Sequence, residues 1–462
     1  MPKKYVINTR RAPNRSKAVS KWGVIAGKEG CLKCPVCAKG RCVHTAQERP
    51  VRETGHRAHS GAEACANCLV CVQSCPGRVI YQRIKPAFKK LGYGHWSPDV
   101  ITQLWSQAET GKIPVSGAGY SGPFSGPGFD GMWTDMSEIV RPTRDGIQGR
   151  EYISTSVDLG RKKRSLAFNQ QGNPLEDFPH LLDIPLPIIL RVPPFGSFGE
   201  GVIRGWAMAA SRLGTLLALP PEHITRRLED FIPHLMPVLP ARVGAGKRGR
   251  EDVRVIGVPW DEWEEHGAGS SFPLALPSVS LPMMKGVKER ALGLARSGAP
   301  ILHLQAGWDG KALDDPSVSM KEVIRSIHRA FVERGIRDEV TLLAGGGISM
   351  AEHVAKAVIC GADAVVIDFP ILIALQCRMC RRCARGSSCP VEIEKAHPAW
   401  VAARVINLLA AWHSQLIEVM GAMGIRDVRR LRGETGRAMF FEDLDQATFG
   451  SMGEVKEGYE LV

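Results

Sequence analysis

From about Asp183 onward, short apolar runs alternate with longer stretches whose apolar positions recur every three to four residues. The runs Pro187–Val192, Thr215–Leu219, Leu235–Leu239, Val253–Val258, Ile301–Gln305, Val340–Leu343 and Ala364–Asp368 read as strands buried on both faces. Between them, Val202–Leu213, Val287–Ser297, Met320–Arg334 and Ala351–Cys360 read as helices. In the third of these, Val323, Ile324, Ile327, Ala330 and Phe331 keep one apolar face. Strands alternating with helices imply parallel βα units, and the length suits an α/β (β/α)8-type barrel, closed or degenerate, over 183–376. Trp400–Arg432 reads as one or two amphipathic helices before an acidic tail.

The first third of the chain has no such rhythm. GKIPVSGAGYSGPFSGPGFDG (111–131) cannot hold a regular helix or central strand, and reads as a long loop within a connecting segment, 91–182. Gly30–Pro86 is short, polar and rich in cysteine, so bound metal must replace a missing hydrophobic core. Residues 1–25 read as a basic, flexible arm; residues 1–28 hold eight Lys or Arg and no acid. A solvated tail and a dock for an acidic redox partner both fit that arm. It is not interleaved with stacking aromatics, so nucleic acid is not expected.

Apolar and charged fractions of 44% and 23% are those of a folded globular chain. A chain of 462 residues exceeds one ordinary domain, and no apolar run is long enough to span a membrane. The thirteen cysteines change the picture. Twelve fall in three groups: Cys31, Cys34, Cys37 and Cys42; Cys65, Cys68, Cys71 and Cys75; Cys377, Cys380, Cys383 and Cys389. Disulfide frameworks scatter cysteines, whereas C-x2-C-x2-C puts three sulfurs in one turn of chain, which suits a polynuclear centre in a reducing, cytoplasmic setting. CANCLVCVQSCP (65–76) has the spacing C-x2-C-x2-C-x3-C-P of ferredoxin-type [4Fe–4S] sites, so 26–90 reads as a small two-cluster ferredoxin-like module. A pair of zinc sites is the alternative, although the triple is one thiolate too crowded for a single zinc knuckle. If the two runs exchange fourth ligands as two-cluster ferredoxins do, Cys31, Cys34, Cys37 and Cys75 hold one cluster. Cys65, Cys68, Cys71 and Cys42 then hold the other. The first run departs from the pattern, with four residues between Cys37 and Cys42.

Ala344-Gly345-Gly346-Gly347-Ile348-Ser349 follows a strand and precedes a helix. Glycines there let backbone amides approach a phosphate, and a tight ligand-free turn fits the same residues. Together with WSQAETGKIPVSGAG (105–119), TDMSEIVRPTRDGIQGREYISTSVDLGRK (134–162) and VTLLAGGGISMAEHVAKAVICGADAVVI (340–367), this loop resembles the flavin domain of glutamate synthase, in its archaeal and anaerobic-bacterial form with an N-terminal ferredoxin module. The resemblance implies a barrel that binds FMN and reduces 2-iminoglutarate to glutamate. Its FMN contacts would fall on Gly345, Gly346, Gly347, Ser349, Gly196, Ser197 and Arg242. The family's [3Fe–4S] motif, C-x5-C-x4-C-P, maps onto Cys377, Cys383 and Cys389 with one extra residue before the last. Cys380 is an added thiol, so a third [4Fe–4S] cluster is expected in the loop 377–392, followed by C-terminal helices and an acidic tail over 393–462.

Several loops depart from the family. The lysine-bearing run becomes VIGVPWDEWEEHGAG (255–269), and the Gly-Thr pair after the last strand becomes Asp368-Phe369-Pro370. The strand that carries a further lysine is expected to be absent. A carboxylate repels a phosphate dianion and proline lacks an amide. Two functions follow: an iron–sulfur oxidoreductase passing electrons to a barrel site, or a non-catalytic electron-transfer and scaffold subunit that has lost FMN. Expected partners are other redox subunits or ferredoxin-like donors, with any amidotransferase or NAD(P)H-oxidising activity on a separate chain. His223, His266 and His303 have no visible partner in the sequence and receive no acid–base role.

Overall fold

The computed structural model describes residues 5–16, 19–26, 31, 32, 34, 69–113, 128–134, 152–175, 180–196, 198–239, 252–266, 275–432 and 435–450. Two compact units emerge: residues 14–103 with 378–380, and the remainder. In the small unit, strands Trp22–Ala26 and Ile80–Ile84 pair antiparallel, Trp22 against Ile84 and Ala26 against Ile80. The cysteine-rich stretch therefore leaves from one strand and returns along the other. Lys21 pairs with Asp99 at 2.7 Å, and Phe88, Leu91, Trp96, Val100 and Ile101 form a small apolar floor.

The large unit is built on eight parallel strands: β1 (Ile188–Arg191), β2 (Leu217–Leu219), β3 (Leu235–Pro237), β4 (Val255–Pro259), β5 (Leu276–Pro282), β6 (Ile301–Gln305), β7 (Thr341–Gly345) and β8 (Ala364–Ile367). The order is 3-2-1-8-7-6-5-4, and a bridge between Val238 and Gly257 joins its two ends into a barrel. The expected barrel is therefore present, with one correction. β5 was read as absent, yet LPSVSLP pairs with both β4 and β6. Its prolines and serines hide an alternation in which Leu276, Ser278, Val279 and Leu281 are buried.

Helices α1 (Glu200–Leu213), α2 (Trp260–His266), α3 (Val287–Arg296), α4 (Met320–Glu333), α5 (Ala351–Cys360) and α6 (Phe369–Ala374) follow strands, and 3-10 turns over 221–234 replace the helix after β2. The acidic run WDEWEEH thus becomes α2. Ser319 and Glu322 form a capping box that starts α4. The long helix α7 (Pro398–Ala422) packs on α1, where a Cβ on Gly205 would lie 2.5 Å from Val401 Cβ, so the two helices approach at a residue without a side chain.

The basic arm is corrected too. Over residues 5–13 it is tied to the barrel unit. Tyr5 donates to the Leu213 carbonyl, Asn407 holds both backbone groups of Arg10, Trp400 donates to the Pro13 carbonyl, and Ala12 is buried. Among the described residues no helix is long and apolar enough to cross a membrane.

Candidate functional site

Strand register decides what the barrel encloses. Arg191 ends β1 and Asp368 directly follows β8, one position beyond the Leu190–Ile367 pair of neighbouring strands. Gln305 lies opposite Gly345, and Ser280 opposite His303. Side chains two apart share a face, so Arg191, Ser280, His303, Gln305 and Asp368 form one set at the carboxyl ends of the strands. The Arg191 charge acts on Asp368 and also on His303, three strands away round the sheet. Only the inner face of a closed barrel brings those groups together. Barrel enzymes place their chemistry at this end.

The set is partly buried and partly unsatisfied: His303 and Asp368 are buried, while Arg191, Ser280 and Gln305 keep some exposure. Gln305 Nε2 donates to Ser280 Oγ at 3.1 Å and lies 3.5 Å from His303 Nδ1. His303 Nε2 and Ser278 Oγ are buried without a hydrogen-bond partner among the described residues. Burial, then the Arg191 charge, pushes the His303 imidazole down to about 3. Burial raises the Asp368 carboxyl, which takes the Phe369 amide as the N-cap of α6. At neutral pH the inner mouth thus presents a cation beside a neutral imidazole.

His328 and His413 behave as His303 does: burial first, with Arg337 next for His328, lowers each to about 4. All three folded values lie below the ordinary value near ~6.5. Stability is therefore full above that pH and declines as pH falls toward 4, because the unfolded chain binds protons that the fold refuses. A thermal midpoint that drops steadily from pH 7 to pH 5 is the expected profile, and a flat one contradicts it.

The glycine loop makes a close backbone contact of its own. A Cβ on Gly347 would lie 2.3 Å from Gly310 N, and one on Gly346 would lie 2.7 Å from the carbonyl oxygens of Ala306 and Gly307. Gly346 and Gly347 have positive φ, +107° and +68° respectively. They serve a close backbone contact between the loops after β6 and β7. The Ser349 amide, which would face a phosphate, donates to His353 Nδ1 at 3.3 Å. His353 Nε2 in turn meets Asp130 Oδ1 at 3.1 Å. Asp368 and Pro370 stand beyond β8, where the family resemblance implies a Gly-Thr pair. Gly347→Ala should cost about 1–3 kcal/mol of stability through the clash and the left-handed φ. Thermal unfolding checks it, and an unchanged midpoint would remove the packing role.

Gly196 has φ +137° and faces the Phe198 ring. Ser197 and Arg242 lie outside the described residues, as do Cys37, Cys42, Cys65 and Cys68. Cys71 sits in the short helix Val70–Gln73, and Cys75 follows it, its carbonyl accepting the Arg78 amide. Cys31 is exposed, Cys34 is half-buried, and Cys377 is buried just after α6. Cys380, Cys383 and Cys389 follow in a loop with left-handed turns at Gln376, Met379 and Arg381. None of the described cysteines is in a disulfide. Among the described residues no three Cys, His, Asp or Glu side chains are gathered at metal-holding distances.

Comparison with known proteins bears on this geometry. Residues 310–426 match the family described as the conserved region in glutamate synthase. That stretch holds β7, the glycine loop, β8, the third cysteine group and α7. The archaeal glutamate synthase [NADPH] of Archaeoglobus fulgidus is 24% identical over 92% of this chain and 96% of its own length. The archaeal-type enzyme of Dehalococcoides mccartyi is 24% identical over 90% and 94%.

Over about nine-tenths of its length, the chain is similar to archaeal-type glutamate synthases.

Among solved structures, a flavocytochrome b2 variant with benzoylformate aligns at TM-score 0.44 and 14% identity, over 78% of this chain and 89% of that one. So slight a likeness carries no functional argument. Within the glutamate-synthase relationship, the residues that sequence reasoning left unassigned are those at the barrel mouth. Their signal was a polar residue closing an apolar run, as in IILR, ILHLQ and VVID.

Proposed function

We propose that this chain is a glutamate-synthase-like oxidoreductase whose work is iron–sulfur electron transfer, most simply as the redox subunit of a larger complex. The observation that carries this reading is the contrast between its loops: the glycine turn is packed by the chain's own backbone, whereas all twelve grouped cysteines are present. Kinship with glutamate synthases speaks for FMN, and the packing of Gly346, Gly347 and Ser349 speaks against its phosphate at that turn. Bound clusters would supply one-electron transfer. Cys31, Cys34, Cys37 and Cys75, Cys65, Cys68, Cys71 and Cys42, and the group Cys377–Cys389 would hold them. Ferredoxin-like carriers are the natural donors, and a reducing cytoplasm the natural setting.

A second reading, substrate reduction at the barrel, is favoured by Arg191, His303, Gln305 and Asp368 at its carboxyl end. Arg191 would anchor an anion there, while His303 stays neutral and able to donate one hydrogen bond. Assay of 2-oxoglutarate plus ammonia with a chemically reduced carrier separates the two. The first reading predicts cluster reduction and no glutamate; glutamate formation would overturn it.

A further inference from the structure

We propose that Arg404 is a positioning residue for the third cysteine loop, holding the exit of α6 so that Cys377 enters the loop in one fixed direction. Arg404 lies in the second turn of α7 and is fully buried. Among the described residues its guanidinium meets no carboxylate at ion-pair distance. It serves three backbone carbonyls on three separate segments instead. Nε donates to Ala374, Nη1 to Ala12 at 2.8 Å, and Nη2 to Trp105 at 3.1 Å. Its cation lies 5.3 Å from the centre of the Trp400 ring. Burial lowers its pKa to about 10, so it remains a cation at neutral pH.

Ala374 is the last residue of α6, where helical carbonyls have no intrahelical donor and the helix dipole presents its negative end. A buried cation there satisfies both. The chain then turns through Gln376, at φ +68°, directly into the buried Cys377. One turn along α7, Asn407 donates to the Arg10 and Ala108 carbonyls and accepts the Arg10 amide. The two residues thereby join the N-terminal strap, the helix Pro98–Thr110 and the root of the cysteine loop to one helix. A planar fork points its donors in fixed, diverging directions that suit three separate carbonyls, whereas lysine's three donors share one nitrogen and methionine has none. That Cys377 serves a cluster rests on the function proposed above; that Arg404 fixes Cys377 does not.

The test uses the full-length chain purified anaerobically, as wild type, Arg404→Met and Arg404→Lys, with Arg337→Met as a buried-arginine control. Alkylation of Cys377 by iodoacetamide is followed by mass spectrometry, with and without prior removal of iron by a chelator. After chelation, Cys377 should react about tenfold faster in Arg404→Met than in wild type, since the local opening becomes easier. Arg404→Lys should fall between them, and Arg337→Met should lose stability without exposing Cys377. Equal rates in wild type and both Arg404 variants, or an equal rise in Arg337→Met, would overturn the proposal. In untreated protein, the electron paramagnetic resonance of the third cluster should weaken in Arg404→Met. Absence of that signal from wild type, with the alkylation result as expected, would remove the cluster assignment and uphold the positioning role.

Discussion

Replacing Arg337 with methionine is expected to remove about 3–5 kcal/mol of stability, the loss seen when one partner of a buried ion pair is deleted. Arg337 is 4% exposed and lies between α4 and β7. It donates to the carbonyls of Val340 and Gly361, to Asp363 Oδ2 at 2.9 Å, and to His328 Nδ1 at 3.0 Å. Asp363 also accepts from the Leu342 amide and from Arg432. Burial alone would raise the Asp363 carboxyl; Arg337, then Arg432 and the Leu342 amide, outweigh it and hold it below its ordinary value. Its contribution is present above about pH 4 and lost as pH falls below that. The network ties the amino ends of β7 and β8, the pole of a barrel that serves stability rather than chemistry. Methionine would leave Asp363 with Arg432 as its one remaining cation in this network. A thermal midpoint on the order of 10 °C lower, with cluster absorbance intact in the folded protein, is the expected outcome. A variant as stable as wild type would show that solvent reaches Asp363.

Cys75→Ser is expected to remove one cluster and to destabilise the small unit with it. The described part of that unit has a two-stranded ladder and a modest apolar floor, too little to hold a cysteine-rich stretch by burial alone. On the function proposed above, metal binding contributes its folding energy. Iron per chain should fall by about four atoms, and limited proteolysis should cut the small unit while sparing the barrel. Unchanged iron would show that Cys75 is not a ligand.

The barrel was legible because seven of its eight strands are short, mainly apolar runs, and helices such as α4 keep a clean apolar face. β5 was not, because proline and serine interrupt LPSVSLP. The tied-down arm was also invisible. Its attachment depends on Arg404 and Asn407, nearly four hundred residues away, and on carbonyls that no side-chain pattern encodes. The glycine loop could be located but not interpreted. Both a phosphate and a neighbouring backbone require glycine, and the contact of Gly310 with Gly347 appears only in the folded chain. Ser197, Arg242 and four of the cysteines lie outside the described residues and remain sequence expectations.

If, as we propose, this chain keeps iron–sulfur clusters and binds no flavin at the glycine turn, its iron and flavin content must show it. The most direct test is acid-released flavin and iron, counted per chain, after strictly anaerobic purification. The account predicts iron near twelve atoms for three cubanes, about four each, with flavin at background. Near-stoichiometric FMN would contradict it.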